Sequence, residues 1–519
     1  MSKKYDIIII GSGMGALSLA GIMARYKKSR ILILEKHTKP GGFTHTFKRK
    51  GKFTWDTGLH YVGELQDGSY VKNVFDYITH KKLKWQKMPE IFERFLYPDF
   101  KFEVNSDPIK YKNDLVAMFP EESDAIRKYF IDLRFMAKWH TLYFFSKMSV
   151  SDKSKMSDEK KMEFLSLSKL TTAEYIDKNF SNDKLKAILV SQVGIYGVVP
   201  EKSPFILHAV KIYHFLYGGW YPRGTSKSIT DFIIPYLEKS GGKILLRHEV
   251  SQIIVQNNKA IGVRVNNQER SEFFADIIVS DAGAYNTYVK LLPELESILA
   301  YRNGILNYLS KYPSCTNLTL FLGLKHDPTH LGIQGENSWI FTSGRANLEW
   351  DLKSDDIYLY LSVPSLKNIK SEPPTVIVIV FCSYGPFEKW SKLPHGNRGE
   401  AYEKLKDDLT EKILLMVERH YPGFCDLIEF KELATPLSIE HYSDHYQGSI
   451  YGLPILAERF DETKTPWFSF KTPIDNFYLT GVDALSPGIS GAVLSGVGAA
   501  THITQTDELL ELFQSKRGE

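Results

Sequence analysis

Three glycines within five positions stand near the start of the chain, directly after four consecutive isoleucines. The β-branched run at residues 7–10 predicts a buried strand, so the order here is strand, turn and helix. Gly11 permits a tight turn, Gly13 lets a pyrophosphate approach the backbone, and small Ala16 lets the helix pack closely on the strand. We therefore expect a dinucleotide-binding unit whose cofactor-binding residues are Gly11, Gly13, Met14, Gly15 and Ala16.

An acidic side chain completes this unit. Glu35 follows a second predicted strand at residues 31–34, nineteen positions after Ala16. A carboxylate at that place accepts hydrogen bonds from a ribose. The basic start and apolar run also resemble a secretory signal, but Asp6 and the glycines interrupt the apolar stretch that a signal requires. We expect no signal peptide.

A second glycine pair, Gly41-Gly42, stands in the run "HTKPGGFTHTFKRKGKFTWDTGLHYVGE". A nicotinamide dehydrogenase would normally continue into another helix and strand here. The run resembles the second FAD motif of the phytoene desaturase, carotenoid isomerase and retinol saturase branch of the FAD-dependent amine oxidase superfamily. Many oxidase relatives have arginine and serine after the pair, whereas this chain has Phe43-Thr44-His45-Thr46, which fits the saturase and isomerase branch better. The resemblance implies FAD contacts at Lys36, Gly41, Gly42, Phe43, Thr44, Gly58 and His60.

Two later blocks strengthen the resemblance. Residues 219–265, followed by "ADIIVSDAGAY", resemble the family's return to the FAD domain, with strands beside the adenine and a hairpin turn at Asn257-Asn258. "NFYLTGVDALSPGISGAVLSGVGAATHI" is similar to the closing FAD motif, with a strand at 477–480 and the last helix opened by 488–492. The implied cofactor contacts are Val250, Ala282, Gly283, Gly481, Asp483, Ile489, Gly491 and Ala492.

Candidate catalytic residues follow the second glycine pair. His60 and Tyr61 in "WDTGLHYVG" are close enough in sequence to reach the flavin ring, and histidine exchanges protons near neutral pH. The alternative is that His60 only holds the cofactor, and His45 also flanks the flavin. "ATPLSIEHYSDHYQGSIYGL" resembles the branch's substrate-side turn and implies pocket residues Thr435, His441 and Tyr451, with hydrogen bonding within the loop as the alternative.

The motifs predict an α/β fold made of two interleaved domains. We expect a discontinuous Rossmann-type FAD-binding domain at 1–75, 220–300 and 470–519. The remaining pieces, 76–219 and 301–469, form a substrate domain of a β-sheet plus helices. Segments 316–324, 356–363 and 375–383 predict strands of that sheet, 203–221 predicts a wall of the substrate tunnel, and 151–161 predicts a solvated connector.

Composition excludes several classes of protein. The 65 basic residues are scattered among 61 acidic ones, for a net charge of +4, which excludes a nucleic-acid footprint. Three separated cysteines form neither a disulfide framework nor a metal site. No apolar stretch reaches the ~20 residues of a transmembrane helix. We expect a cytoplasmic protein without metal.

A predicted helix near 127–148 combines aromatic and basic residues. This pattern fits an interfacial helix that contacts a membrane peripherally, and it equally fits a helix that packs on the core and exposes a basic face. Both alternatives stay open.

The resemblance implies a flavoenzyme that transfers a hydride between flavin N5 and a carbon–carbon bond of an apolar polyene or lipid. Saturation, desaturation and redox-neutral isomerisation stay open, as do two alternatives: a fatty-acid double-bond isomerase or desaturase, and a non-catalytic lipid-binding flavoprotein. An amine oxidase is disfavoured. The sequence carries no second dinucleotide fingerprint, so an external electron donor is one way to supply the flavin with electrons.

Overall fold

The computed structural model describes residues 5–268, 270–367 and 373–514. Within these residues, two large sheets and two short two-stranded sheets form, with helices around them. The strands are β1 (Tyr5–Ile10), β2 (Ile31–Glu35), β3 (Thr46–Arg49), β4 (Phe53–Asp56), β5 (Trp85–Lys87), β6 (Ile91–Leu96), β7 (Lys101–Asn105), β8 (Trp220–Pro222), β9 (Lys243–Leu246), β10 (Val250–Gln256), β11 (Lys259–Val265), β12 (Glu272–Ser280), β13 (Thr316–Leu324), β14 (Asn337–Phe341), β15 (Tyr358–Ser362), β16 (Thr375–Cys382), β17 (Ile428–Ala434) and β18 (Phe477–Leu479).

The helices are α1 (Met14–Tyr26), α2 (Tyr70–Ile78), α3 (Pro108–Met118), α4 (Ser123–Met148), α5 (Asp158–Ser168), α6 (Thr172–Asn179), α7 (Asp183–Leu189), α8 (Phe205–His214), α9 (Lys227–Lys239), α10 (Glu296–Lys311), α11 (Pro364–Lys367), α12 (Glu400–His420), α13 (Pro436–Ser443), α14 (Ile489–Thr504) and α15 (Glu508–Leu512).

The first sheet has the order β10-β11-β12-β1-β2-β9, and β18 also pairs with β12. β1 lies in its middle and runs parallel to β2 and β12, with Ile8 opposite Leu32 and Ile278. These strands are buried, as expected for a parallel sheet covered on both faces. The arrangement is a Rossmann-type layer that brings the carboxyl ends of β1, β2, β12 and β18 to one edge.

Helix α14 packs against α1 across this layer. The Ser18 hydroxyl donates to the Val493 carbonyl at 2.7 Å. A Cβ on Gly496 would lie 2.6 Å from the Ser18 Cβ, so only glycine permits this approach. The layer is therefore closed by residues from both ends of the chain.

The second sheet has the order β17-β13-β16-β15-β14-β6-β7 and is antiparallel except where β6 meets β14. Side chains of β13 alternate between its two faces: Leu318, Leu320 and Leu322 join the core with α12, whereas Phe321 joins the core shared with the first sheet. The sheet thus presents one face to the space between the two sheets.

Several predicted elements are present. Strands β13, β15 and β16 lie at the predicted positions, and Asn257 and Asn258 have φ of 49° and 59° in the turn of the β10–β11 hairpin. The prediction of a solvated connector at 151–161 is wrong for its last four residues, because they belong to α5, which begins at Asp158 and buries Phe164. The closing motif opens α14, which is followed by α15 and is not the last helix. The domain boundaries stay a prediction.

Helix α4 is the predicted aromatic and basic helix. Ile131, Phe135 and Leu142 are 65%, 45% and 42% exposed, whereas Tyr143 on the opposite face is buried. In the described part of the chain, helices fall short of the length and apolar character that crossing a membrane requires. The exposed stripe is therefore a surface feature of α4.

Candidate functional site

The first glycine turn joins β1 to α1. Gly11 has φ +88°, and Gly13 stands in extended conformation at the N-cap of α1. A Cβ on Gly15 would lie 2.5 Å from the backbone nitrogen of Gly481. The first turn of α1 carries no acidic residue, so its N–H groups and dipole favour an anion.

The Glu35 carboxylate is hydrogen-bonded to this turn. Its Oε2 accepts from the Ser12 nitrogen at 2.9 Å and from the Ser12 hydroxyl at 2.6 Å, and its Oε1 accepts from the His37 nitrogen at 2.7 Å. The carboxylate is buried and lines the cavity described below, as do Lys36 and Val250. Its position at the end of β2 suits a ribose hydroxyl.

The second glycine pair lies against the first turn. Gly41 and Gly42 have φ of +115° and +52°, and a Cβ on Gly42 would lie 3.1 Å from the Cα of Gly13. The Thr44 hydroxyl donates to the Gly41 carbonyl at 2.6 Å, and this bond holds the short turn Gly42–Thr44. Gly58 packs on Phe43, where an added Cβ would lie 3.0 Å from the Phe43 Cβ. Residues 41–44 and 58 all line the cavity.

Asp281 lies where the glycine motifs meet, and the sequence analysis missed it. A Cβ on Gly13 would lie 2.5 Å from its Oδ2, and one on Gly15 would lie 2.6 Å from its Oδ1. Burial raises the pKa of Asp281 to about 7. The segment "SDAGAY" indicates such a residue, because its carboxylate directly follows a buried strand and precedes Ala282-Gly283.

The closing motif supplies another wall. Asp483 is buried; its Oδ2 accepts from the Ala284 nitrogen at 2.8 Å and its Oδ1 from the Leu453 nitrogen at 2.9 Å. Gly488, with φ +85°, caps α14. The predicted contacts Ala282, Gly283, Gly481, Asp483, Ile489, Gly491 and Ala492 all line the same cavity.

His60 and Tyr61 line the cavity from the loop after β4. Within the described residues, the His60 Nδ1 and the Tyr61 hydroxyl are buried without a hydrogen-bond partner. Burial, with a smaller contribution from Lys367, lowers the pKa of His60 to about 3, so its imidazole is neutral at pH 7. Burial and then the charge of Glu93 raise the pKa of Tyr61 well above its ordinary value, so the phenol keeps its proton. His45 also lines the cavity, with its Nδ1 2.6 Å from the Gly42 carbonyl.

Of the three predicted substrate residues, one lines the cavity and two do not. Tyr451 lines the cavity and donates its hydroxyl to the Gly194 carbonyl at 2.8 Å. Thr435 lies outside the cavity lining: it is the N-cap residue of α13, and its hydroxyl shares a 2.6 Å hydrogen bond with the Tyr402 hydroxyl. His441 also lies outside, since it is exposed on α13 and stacks on His395.

The cavity between the two sheets has a volume of about 1140 Å³. This exceeds the roughly 300–1,000 Å³ of an ordinary ligand pocket. One end is made of the glycine motifs, and the other is walled by aromatic rings. The rings are Tyr61, Phe215, Phe321, Trp339, Tyr360 and Phe381. Among the residues that the structure describes, no group of His, Cys, Asp or Glu is arranged to hold a metal ion.

The residues present fit an FAD molecule. Close packing at Gly13, Gly15 and Gly42 brings the glycine motifs together at one end of the cavity, and the buried His60 Nδ1 and Ser490 hydroxyl have no partner within the described residues. Glu35 and Asp483 stand at two separate places along the glycine end. The remaining aromatic end leaves space for a second, apolar molecule.

Comparisons with known proteins agree with this geometry. Residues 17–504 match the family described as flavin containing amine oxidoreductase. The chain is 30% identical to an all-trans-retinol 13,14-reductase of Danio rerio, over 98% of this chain and 88% of that protein. It is 25% identical to prolycopene isomerase 1 of an Oncidium hybrid cultivar, over 97% and 84%. An oxidoreductase structure from Methanosarcina mazei superposes with a TM-score of 0.64 at 14% identity, over 96% of this chain and all of that one.

Proposed function

Since the chain belongs to the flavin-containing amine oxidoreductase family, we propose that it acts on a carbon–carbon double bond of a polyene such as a retinoid or carotenoid. Membership confirms three predictions from the sequence: the α/β fold with a Rossmann-type layer, FAD as the cofactor, and an FAD-dependent oxidoreductase or redox-neutral isomerase. The substrate class rests on the relatives that are named for retinol reduction and prolycopene isomerisation.

The aromatic wall of the cavity is the observation that carries this proposal. Trp339 and Tyr360 have ring centroids 4.7 Å apart, and Tyr61 stacks on Phe215 at 4.3 Å. These rings give the cavity an apolar aromatic wall, which suits a conjugated chain lying beside a flavin.

We propose that the glycine turn holds the FAD pyrophosphate, Glu35 the ribose, Val250 the adenine and Asp483 the ribityl chain. Bound FAD supplies a hydride donor and acceptor at its N5. We also propose that residues 1–75, 220–300 and 470–519 form the FAD-binding domain, and that 76–219 and 301–469 form the substrate domain.

Of the two catalytic candidates, Tyr61 suits the role of proton donor better. Its phenol is protonated and unpartnered at the cavity wall, whereas His60 is neutral because burial opposes its cationic form. A neutral His60 can orient the cofactor or the substrate through its free Nδ1. The relatives do not favour the fatty-acid enzyme or the non-catalytic carrier as alternatives. We propose an external electron donor, because the sequence carries no second dinucleotide fingerprint.

We propose in addition that α4 contacts an anionic membrane surface peripherally. The exposed Ile131, Phe135 and Leu142 form one stripe, and exposed Arg134 and Lys138 lie beside it. Apolar side chains that enter the acyl boundary and cations that meet phosphates are what an interfacial helix requires. The apolar substrate would reach the cavity from that surface.

An anaerobic assay tests the main proposal. The purified flavoprotein is reduced with dithionite, and retinol, a carotenoid or an unsaturated fatty acid is added while the flavin spectrum and the lipid products are followed together. Flavin reoxidation matched by a saturated polyene bond supports a reductase, and rearrangement with the flavin still reduced supports an isomerase. Turnover of the fatty acid alone, or of no lipid, contradicts the proposal.

A further inference from the structure

A buried pair of opposite charges lies behind the aromatic wall. Glu93 on β6 is 0% exposed and Lys367 at the end of α11 is 3% exposed. Asn337 joins them: its Nδ2 donates to Glu93 Oε1 at 3.3 Å, and its Oδ1 accepts from Lys367 Nζ. Glu93 also accepts a hydrogen bond from the Trp339 indole. We call this the Glu93–Lys367 pair.

The pair is connected to the cavity at two places. Lys367 donates to the His60 carbonyl at 3.1 Å, and its Nζ lies 5.6 Å from the centre of the Tyr61 ring. After burial, the charge of Glu93 is the largest influence on the Tyr61 phenol. Tyr61 and Tyr360 therefore both line the cavity and respond to the charge of Glu93.

Stability does not explain such a pair. Removing two charges from water is costly, and apolar residues of similar volume often stabilise a core equally well. Burial raises the pKa of Glu93 and lowers the pKa of Lys367, and the pKa of Glu93 stays raised with the Lys367 charge beside it, so the carboxyl group can take up a second proton and stand as an acid next to the ammonium. Such a perturbed pair beside a cavity is typical of functional sites.

We propose that Glu93 stores the proton that Tyr61 delivers to the substrate, and that Lys367 balances the charge that Glu93 then carries. This rests on the proposed function. One alkene carbon takes the hydride supplied by reduced FAD, and the neighbouring carbon forms its C–H bond with the proton released as the Tyr61 O–H bond breaks. The phenolate regains a proton from the Glu93 carboxylic acid, and the resulting carboxylate faces the Lys367 ammonium.

Other titratable groups also surround the pair. Glu93 faces Tyr61, Lys367, Tyr360 and Tyr111; Lys367 faces Glu93, Asp56, Glu336 and His60. The Tyr360 hydroxyl donates to Asn337 Oδ1 at 2.7 Å, so it belongs to the same network. The Tyr61 hydroxyl forms no hydrogen bond of ordinary geometry within the described residues, yet it lies close enough to Glu93 for that carboxyl group to raise its pKa.

Two variants test the proposal by turnover. In Tyr61→Phe we expect product formation from reduced enzyme to fall by about 10²- to 10⁴-fold, the usual contribution of a general acid, while bound FAD is unchanged. In Glu93→Gln we expect a loss of at least about tenfold and a pH profile that no longer bends where the pair titrates. Tyr97→Phe is the matched control, because it removes a buried phenol that bonds to Ser191 and lies outside the cavity lining. Losses within about twofold of wild type, or equal to the control, overturn the proposal.

An infrared titration of the cofactor-free protein tests the proton store without turnover. We expect the carbonyl absorption of protonated carboxyl groups to persist above the ordinary range of glutamate, with a contribution from Asp281 in both proteins and a second contribution that vanishes in Glu93→Gln. Identical absorption in both proteins overturns the proton store. If the wild-type enzyme turns over no polyene, the proposed function fails and the delivery step fails with it, whereas the carbonyl absorption still decides whether Glu93 holds the proton.

Discussion

Substituting Gly15 with alanine tests the geometry of the glycine end directly. An added Cβ would lie 2.5 Å from the Gly481 nitrogen and 2.6 Å from Asp281 Oδ1, where ordinary contacts are 3.4–4 Å. Overpacking costs about 1–3 kcal/mol, and we expect the upper half of this range because one neighbour is backbone. Alanine returns up to about 1 kcal/mol as the better helix former, which leaves about 1–2 kcal/mol. The cofactor-free protein can relieve this clash by moving the closing motif, whereas the proposed FAD site needs both elements in place, so we expect about 5- to 30-fold weaker FAD binding.

The assay is a fluorescence titration of cofactor-free protein with FAD, together with a thermal melt of each variant. Gly344→Ala is the matched control, because nothing lies within 4 Å of the Cβ that it adds. We expect the control to bind FAD as the wild type does. If Gly15→Ala binds FAD as tightly as Gly344→Ala and melts at the same temperature, the meeting of α1 with the closing motif is not as described.

Three further predictions concern separate parts of the molecule. His60→Gln should keep FAD and lose less than about tenfold in turnover, because a neutral His60 does not act as the proton donor. A loss comparable with that of Tyr61→Phe in the single-turnover assay would instead indicate that His60 is the proton donor. The pKa of Asp281, raised to about 7 from an ordinary 3.8, means that the folded apoprotein binds more protons than the unfolded chain, so stability falls as pH rises from about 4 to about 7. Asp281→Asn should flatten that slope in thermal melts of apoprotein, and an unchanged slope contradicts the assignment. Phe135→Glu on α4 should weaken binding to anionic vesicles in a sedimentation assay without changing thermal stability. Ile109→Glu is the control, because Ile109 is also exposed but lies on α3, and it should leave vesicle binding unchanged. Equal losses of vesicle binding in the two variants would contradict membrane contact through α4.

The glycine end of the site could be predicted from sequence because its chemistry is local. A tight turn, a close backbone approach and a carboxylate at a strand end each depend on neighbouring residues, so Gly11, Gly42 and Glu35 stand together as their spacing indicates. The long β-branched and aliphatic runs likewise predicted β1 and β2 of the first sheet and β13, β15 and β16 of the second, since strand periodicity is also a local property. The same reasoning did not predict β6, β7, β14 and β17.

The aromatic end could be predicted only in part, because its polar groups come from distant segments. Glu93, Asn337 and Lys367 lie on β6, β14 and α11, and no local pattern joins them. Thr435 was assigned to the pocket although a threonine before proline at a helix start is equally a cap, which is its role here. Only the tertiary fold decides between such uses of one residue.

The hydrogen bond between Ser18 and Val493 joins positions 475 residues apart. A ribosome that adds about 5–20 residues per second needs about 25–95 s to make the intervening chain. During that time α1 and the first glycine turn exist without the helix and the Gly481 backbone that complete their site. FAD binding at the complete site therefore waits until β18 and α14 have been made, and a chain that stops before β18 lacks the Gly481 and Asp483 wall of the cavity.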